Sequence, residues 1–149
     1  MQGILLVIAV VFATISALIH VLIFFLESVL WSRPVIWRRF GVKSQGDADV
    51  VRPMAYNQGF YNLFLALGAG LGLTLMGWSS ASVGGVWQGG IWVLLFALFS
   101  MLLASIVLIS TNRRLWRSVL IQGLAPVLAI VFLFLTIATA EPIVVLTTG

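Results

Sequence analysis

The sequence predicts an all-α integral membrane protein, a bundle of four transmembrane helices. Of its 149 residues, 62% are hydrophobic and only 8% are charged, whereas a soluble domain carries about 25% charged residues. The apolar residues also fall into four runs, each with the roughly 20 residues needed to cross about 30 Å of hydrocarbon. The length allows a single four-span membrane domain, 1–149.

Each apolar run is expected to be a helix, because hydrocarbon offers no partner for backbone polar groups. The spans are expected to cover about residues 4–31, 54–76, 91–110 and 118–140. The first run is too long for a cleaved signal peptide and has no preceding basic residue, so it is expected to remain as a span. Tryptophans lie near the predicted span ends, as in aromatic belts: Trp31, Trp37, Trp78, Trp87, Trp92 and Trp116.

The basic residues predict the orientation. All 8 Lys and Arg residues lie in the connections after the first and third spans. They are Arg33, Arg38, Arg39, Lys43 and Arg52, then Arg113, Arg114 and Arg117. The positive-inside rule puts both connections in the cytoplasm and both termini outside, as expected for a multi-pass protein of the cytoplasmic (inner) membrane. Basic residues that flank spans suit lipid headgroups, and no nucleic-acid partner is expected.

The first basic connection is expected to be turn-rich over 31–34 and 40–49, with Pro34, Gly41 and Gly46 as its breakers. Between these stretches, residues 37–40 are expected to form a short interfacial helix with Trp37 and Phe40 facing lipid.

The first span carries an unusual polar stripe. Its members follow a spacing of three or four residues: Ala13, Ser16, His20, Phe24, Glu27 and Trp31. The chain's only histidine and its only acidic residue within a span lie seven positions apart, within about 20° on one helix face. This face is expected to look into the bundle. His20 is either a buried, hydrogen-bonded residue or a functional one, and Glu27 is either functional or structurally paired.

Metal binding is not expected. The chain contains no cysteine, which excludes disulfides, thiolate metal sites and a cysteine nucleophile. His20 and Glu27 are separated by about 10.5 Å along the helix, too far to share one metal ion with bonds of about 2 Å. A lone histidine suits an axial haem ligand, but no second ligand is evident, so the cofactor stays open.

The second span opens with the polar sequence NQGFYN. Its side chains Asn57, Gln58, Tyr61 and Asn62 cover an arc of about 140° at the depth expected for Glu27. They either bond neighbouring helices together or line a polar pocket. Gln122 in the fourth span reaches the same level, and Pro126 leaves its carbonyl without an amide donor, which predicts a kink.

These depths predict a pocket centred on Glu27. Its expected walls are Asn57, Gln58, Tyr61 and Gln122, with His20 at its floor. Catalytic candidates are Glu27, His20 and Tyr61, and Asn62 completes the expected binding set.

Small residues in the second span predict a close helix contact or an oligomer seam. The two pairs are Gly68 with Gly72 and Ala66 with Gly70.

These residues together resemble a family of small four-span bacterial membrane proteins known as "domain of unknown function 1304". The resemblance covers most of the chain. It rests on His20 and Glu27, the following LW and Pro34, Phe40-Gly41, NQGFYN with LFLALG, and Gln122-Gly123 with Pro126. The third span departs from it, with FSMLLASIV where a GxYG-like stretch is expected. The resemblance implies the four-span fold. The family has no established activity, although a link to epimerases or isomerases has been suggested.

Three functions fit the sequence. A small accessory or binding subunit of a larger membrane complex ranks first, because the loops are short and the helix faces glycine-rich. The second is an enzyme with isomerase-like acid–base chemistry on a lipid or isoprenoid-like substrate, using Glu27. The third is an oligomeric proton-coupled carrier with Glu27 and His20 as relay groups. The expected partners are membrane lipid, other membrane subunits or a second copy.

The charge distribution yields a topology prediction. A cysteine introduced at Ser44 is expected to react with an impermeant thiol reagent only after cell lysis, whereas one at Ser80 reacts in intact cells. Labelling of the Ser44 variant in intact cells would contradict the predicted orientation and indicate the opposite one.

Overall fold

The computed structural model describes residues 1–78 and 84–139, in which every regular element is helical. The main helices are α1 (Gln2–Phe24), α2 (Pro34–Trp37), α3 (Gln45–Trp78), α4 (Gly84–Thr111) and α5 (Trp116–Ala138). A π-helical turn (Phe25–Val29) extends α1, and 3₁₀ turns (Arg38–Phe40 and Arg113–Leu115) lie in the two basic connections. Four of these helical segments are long and apolar enough to cross a membrane, which confirms the predicted fold class. Ser80 lies outside the described residues.

The four long helices form a ring. Helix α1 packs between α3 and α5, and α4 also packs between α3 and α5, so α1 and α4 lie diagonally opposite. The two basic connections meet at one end of the ring, where a Cβ on Gly41 would lie 3.8 Å from Asn112 Nδ2. We call this end the basic end.

The helical boundaries differ from the prediction at the basic end. Helix α3 begins at Gln45, well before the expected position 54, because Ser44 caps it. The Ser44 hydroxyl accepts from the Asp47 amide at 3.1 Å and donates to Asp47 Oδ2 at 2.7 Å, which satisfies an unpaired amide of the first turn. The stretch 45–49, expected to be turn-rich, is therefore helical.

This extension of α3 buries two tryptophans predicted to lie in the interfacial belt. Trp31 and Trp37 are 6% and 2% exposed and pack with Ala48. Trp31 Nε1 donates to the Ala48 carbonyl at 3.0 Å, and the Phe40 ring lies 5.4 Å from the Trp31 ring. The expectation that Trp37 and Phe40 face lipid is wrong: Trp37 is buried and Phe40 half-buried, because the start of α3 supplies an apolar surface that the sequence pattern did not reveal.

The main core lies along the bundle axis. The stripe predicted on α1 is buried at Ala13, Ser16 and His20, each 0% exposed, and continues to Glu27 at 9%. Larger side chains from the other helices fill the space beside these small residues: Leu94, Leu98, Met101 and Leu133. The inward-facing polar stripe is thus confirmed. Helix α5 runs unbroken through the buried Pro126.

Helices α3 and α4 approach most closely at two glycines. A Cβ on Gly72 would lie 2.7 Å from the Leu94 amide nitrogen, and one on Gly90 would lie 2.9 Å from the Met76 amide nitrogen. Gly68 is looser, with its would-be Cβ 3.6 Å from Ala97 Cβ, and Gly70 has open space around it. The close contact predicted on this face therefore centres on Gly72 rather than on Gly68 or Gly70.

We expect Gly72→Ala to lower the free energy of unfolding by about 1–3 kcal/mol, because the added methyl group meets backbone atoms of α4. Gly70→Ala is the matched control in the same helix. It is expected to be neutral or stabilising by up to about 1 kcal/mol, from the higher helix propensity of alanine. Equal unfolding free energies of the two variants in detergent would contradict this packing.

Candidate functional site

Glu27 lies in the π-helical turn that ends the first span. In this turn the Leu30 amide donates to the Phe25 carbonyl, five residues back, at 2.9 Å. Single π turns inside α-helices recur at functional sites, since the extra residue redirects nearby side chains. The Glu27 side chain is buried inside the bundle, with 9% of its surface exposed.

Helix α3 holds this turn in place through Ser28 and Gly59. The Ser28 hydroxyl donates to the Tyr56 carbonyl at 2.9 Å. At Gly59, an added Cβ would collide with Ser28 Oγ and lie 3.2 Å from Glu27 Cβ. A side chain at this position would force Ser28 and Glu27 to shift, so Gly59 favours the close approach of α3 to the π turn.

Asn62 is the hydrogen-bond partner of Glu27. Its Nδ2 donates to Glu27 Oε2 at 3.1 Å and to the Gln58 carbonyl, one turn earlier, at 3.0 Å. Asn62 is 5% exposed, so this contact is buried. Within the described residues the other carboxyl oxygen, Oε1, makes no hydrogen bond. A carboxyl group in hydrocarbon is costly unless its hydrogen bonds are made, and here one oxygen is left for a further donor.

A cavity of about 420 Å³ lies beside Glu27 at the basic end, lined by residues of α1 and its π turn, α3, α4, α5 and both basic connections. Its polar lining consists of Glu27, Gln58, Asn62, Gln122, Arg39, Thr111 and Ser118. Its walls are otherwise apolar: Ile19, Leu22, Ile23, Leu26, Phe40, Ala104, Val107, Leu108, Leu115 and Ile121. A mostly apolar lining with a few polar groups is typical of small-molecule sites.

The cavity reaches the outer surface of the bundle. Three of its apolar lining residues, Leu22, Val107 and Ile121, are 54%, 61% and 62% exposed. All three lie within helices long enough to span a membrane. The cavity therefore joins a polar interior to a surface that hydrocarbon chains would cover.

The polar sequence at the start of the second span divides between two faces. Gln58 and Asn62 line the cavity, but Asn57 and Tyr61 are exposed on the outside of α3 and do not. Because Gly59 faces α1, residues 58 and 62 lie on the cavity side of α3, where Asn62 is buried and Gln58 is exposed. The pair 57 and 61, rotated by about 100°, lies on the outer side. Asn57 and Tyr61 thus lie outside the wall for which they were predicted.

His20 is buried but is not among the lining residues of the cavity. Its Nδ1 donates to the Ser16 carbonyl at 2.9 Å, while Nε2 has no partner among the described residues. Its distance along α1 from Glu27, about 10.5 Å, separates the two groups. The position of His20 as the floor of the pocket is therefore not observed.

Two lining residues, Arg39 and Phe40, were not expected from the sequence. Both belong to the 3₁₀ turn Arg38–Phe40, which closes over the basic end of the cavity. The neighbouring Arg38 points elsewhere, with its guanidinium carbon 5.2 Å from the centre of the Trp37 ring. No sequence signal separates these adjacent arginines, because their difference arises from the burial of Trp37. Among the described residues no group of three or more His, Cys, Asp or Glu side chains comes together as a metal site.

Comparison with known proteins finds one family. Residues 14–134 match the model of a family described as "Protein of unknown function (DUF1304)". The matched segment includes every polar residue that lines the cavity. No curated protein and no solved structure matches the chain.

Proposed function

Since the chain belongs to the DUF1304 family of proteins of unknown function, we propose its function from the cavity: it binds a lipid-like amphiphile beside Glu27. The observation that carries this proposal is one cavity with a polar interior and apolar walls. Its volume of about 420 Å³ falls within the roughly 300–1,000 Å³ of small-molecule sites.

The mouth of the cavity supports a ligand that is already dissolved in the membrane. Of the exposed lining residues, Arg39, Gln58, Thr111 and Ser118 are polar, whereas Leu22, Val107 and Ile121 are apolar and lie within helices long enough to span a membrane. An apolar chain that leaves the cavity past Leu22, Val107 and Ile121 stays in hydrocarbon. None of its apolar surface is exposed to water, so binding does not cost hydrophobic free energy. A small polar metabolite would gain nothing from these walls. The ligand class is therefore an amphiphile with its head inside and its chain towards the mouth.

Acid–base chemistry on this ligand is the second candidate, favoured by the unpaired Oε1 of Glu27. Asn62 fixes one carboxyl oxygen, which leaves the other free to accept and return a proton. The amides of Gln58 and Gln122 line the same cavity and suit a polarising role. Tyr61, expected as a catalytic candidate, and Asn57, expected as a wall of the pocket, are not among the lining residues. One base that removes and replaces a proton is the requirement of an isomerase.

The accessory-subunit hypothesis draws support from a different surface. Asn57 and Tyr61 are exposed on the outer side of α3, near the level of the cavity, where a partner subunit or a second copy would satisfy their polar groups. The proton-carrier hypothesis needs a relay between Glu27 and His20, and His20 lies outside the cavity lining. Amphiphile binding needs neither a partner nor a relay, so it is preferred.

We also propose that the basic end faces the cytoplasm in the inner membrane. Gly41 and Asn112 lie near each other, so the two basic connections share one end of the bundle, which supports a single inward-facing side. The ligand head would then lie at the cytoplasmic leaflet.

The proposal predicts that filling the cavity abolishes binding. Ala104 lines the cavity, whereas its neighbour Leu103 is 59% exposed and does not. The purified full chain in a neutral detergent would be titrated with palmitic acid, monopalmitoylglycerol and monopalmitoylglycerol phosphate, and bound molecules counted by native mass spectrometry. We expect saturable binding of one molecule of at least one probe. Ala104→Phe should weaken it at least about tenfold, since the ring takes the volume of the chain.

Leu103→Phe is the control and should leave the affinity unchanged. Thermal unfolding of both variants shows whether Ala104→Phe still folds. Saturable binding that is equal in the two folded variants would contradict the proposed site, as would the absence of saturable binding for all three probes.

A further inference from the structure

We infer that the ligand head combines an anionic group, bound by Arg39 at the rim, with a hydroxyl or amine donor, bound by Glu27 inside the cavity. This inference rests on the proposed function and specifies its substrate class. The observation behind it is that an arginine and a carboxyl group line one cavity, and no ion pair joins them among the described residues.

Arg39 supplies the anion-binding group. Its side chain is exposed and lines the cavity, and within the described residues no carboxylate pairs with it. The planar guanidinium binds phosphate or carboxylate through two parallel hydrogen bonds. Arg38, one residue earlier in the same turn, instead stacks on Trp37. Of the two adjacent arginines, only Arg39 can reach a head inside the cavity.

Glu27 sets what the inner part of the head must be. Its Oε2 already accepts from Asn62, and Oε1 has no donor among the described residues. Because Glu27 lines the cavity, a ligand there that supplies an O–H or N–H group can donate to Oε1 and gains affinity. An anionic group at the same place would find no cationic partner and would be repelled by the ionised form of the carboxyl group. The anion is thus directed to Arg39 and the donor to Glu27.

The two glutamines can bind the part of the head that lies between the anionic group and the donor group. Gln58 and Gln122 line the cavity, and each amide offers both donors and an acceptor. They suit the ester or hydroxyl oxygens that join an acyl chain to a polar head. The class that satisfies all four side chains is an acylated polyol or amino alcohol that bears a phosphate or carboxylate.

The test compares heads that share one chain. The probes are monopalmitoylglycerol phosphate, its O-methyl ether at the free hydroxyl, monopalmitoylglycerol and palmitic acid, each titrated into the full chain in neutral detergent. We expect the phosphate ester to bind about tenfold or more tighter than each of the other three, because each lacks one charge-assisted hydrogen bond. Glycerol phosphate and inorganic phosphate, which lack the chain, should show no saturable binding at the same concentrations.

The variants assign the two contacts. Arg39→Gln should reduce the affinity for the phosphate ester to that of monopalmitoylglycerol, whereas Arg38→Gln should leave it unchanged. In Glu27→Gln the difference between the free hydroxyl and its methyl ether should shrink from about tenfold to about twofold, because the acceptor loses its charge. Thermal unfolding in detergent confirms that each variant is folded before titration.

Equal affinities for all four acylated probes would overturn this inference and leave amphiphile binding intact. An equal loss of affinity for the phosphate ester in Arg38→Gln and Arg39→Gln would also overturn it. That result would indicate that the positive surface charge as a whole attracts the ligand. Saturable binding of inorganic phosphate alone would replace the amphiphile by a free anion. No saturable binding of any probe would overturn the proposed function itself.

Discussion

The hydrogen bond from Asn62 to Glu27 is the contact on which the basic end of the bundle depends. A carboxyl group within a membrane span must find a donor, and Asn62 Nδ2 provides it at 3.1 Å. To bring these groups together, α3 must turn Gly59 against Ser28 and approach the π turn closely enough to leave no room for a side chain. The bond, the glycine and the π turn therefore form one unit.

That unit also explains why a cavity exists. The π turn ends the first span at Val29. The chain then folds back through α2 and the 3₁₀ turn Arg38–Phe40 and packs Trp31 and Trp37 on the start of α3. This places Arg39 and Phe40 at the basic end of the bundle, where both residues line the cavity. The space left between the four helices has a carboxyl group inside, an arginine at its rim and apolar walls. An amphiphile with matching groups is the ligand that these features favour.

The sequence allowed the four spans and the inward stripe on α1 to be predicted, because hydrocarbon imposes helices and expels polar side chains such as Glu27 from its surface. The rotation of α3 could not be predicted, since Asn57 and Asn62 are alike in chemistry and only the contact at Gly59 decides which faces α1. The π turn could not be predicted, because no sequence pattern marks it. The early start of α3 was missed because it depends on the cap at Ser44 rather than on hydropathy. Arg38 and Arg39 differ only through the burial of Trp37, a tertiary effect.

The most direct test of the central contact is a double-mutant cycle between Glu27 and Asn62, measured as free energy of unfolding in detergent for Glu27→Ala, Asn62→Ala and the double variant. The account predicts a coupling energy of about 0.5–2 kcal/mol, the range of buried hydrogen bonds between membrane helices. The matched cycle with Asn57→Ala, an exposed amide on the same helix, should give a coupling below about 0.3 kcal/mol. Coupling to Asn57 as large as that to Asn62, or no coupling to Asn62, would contradict the account.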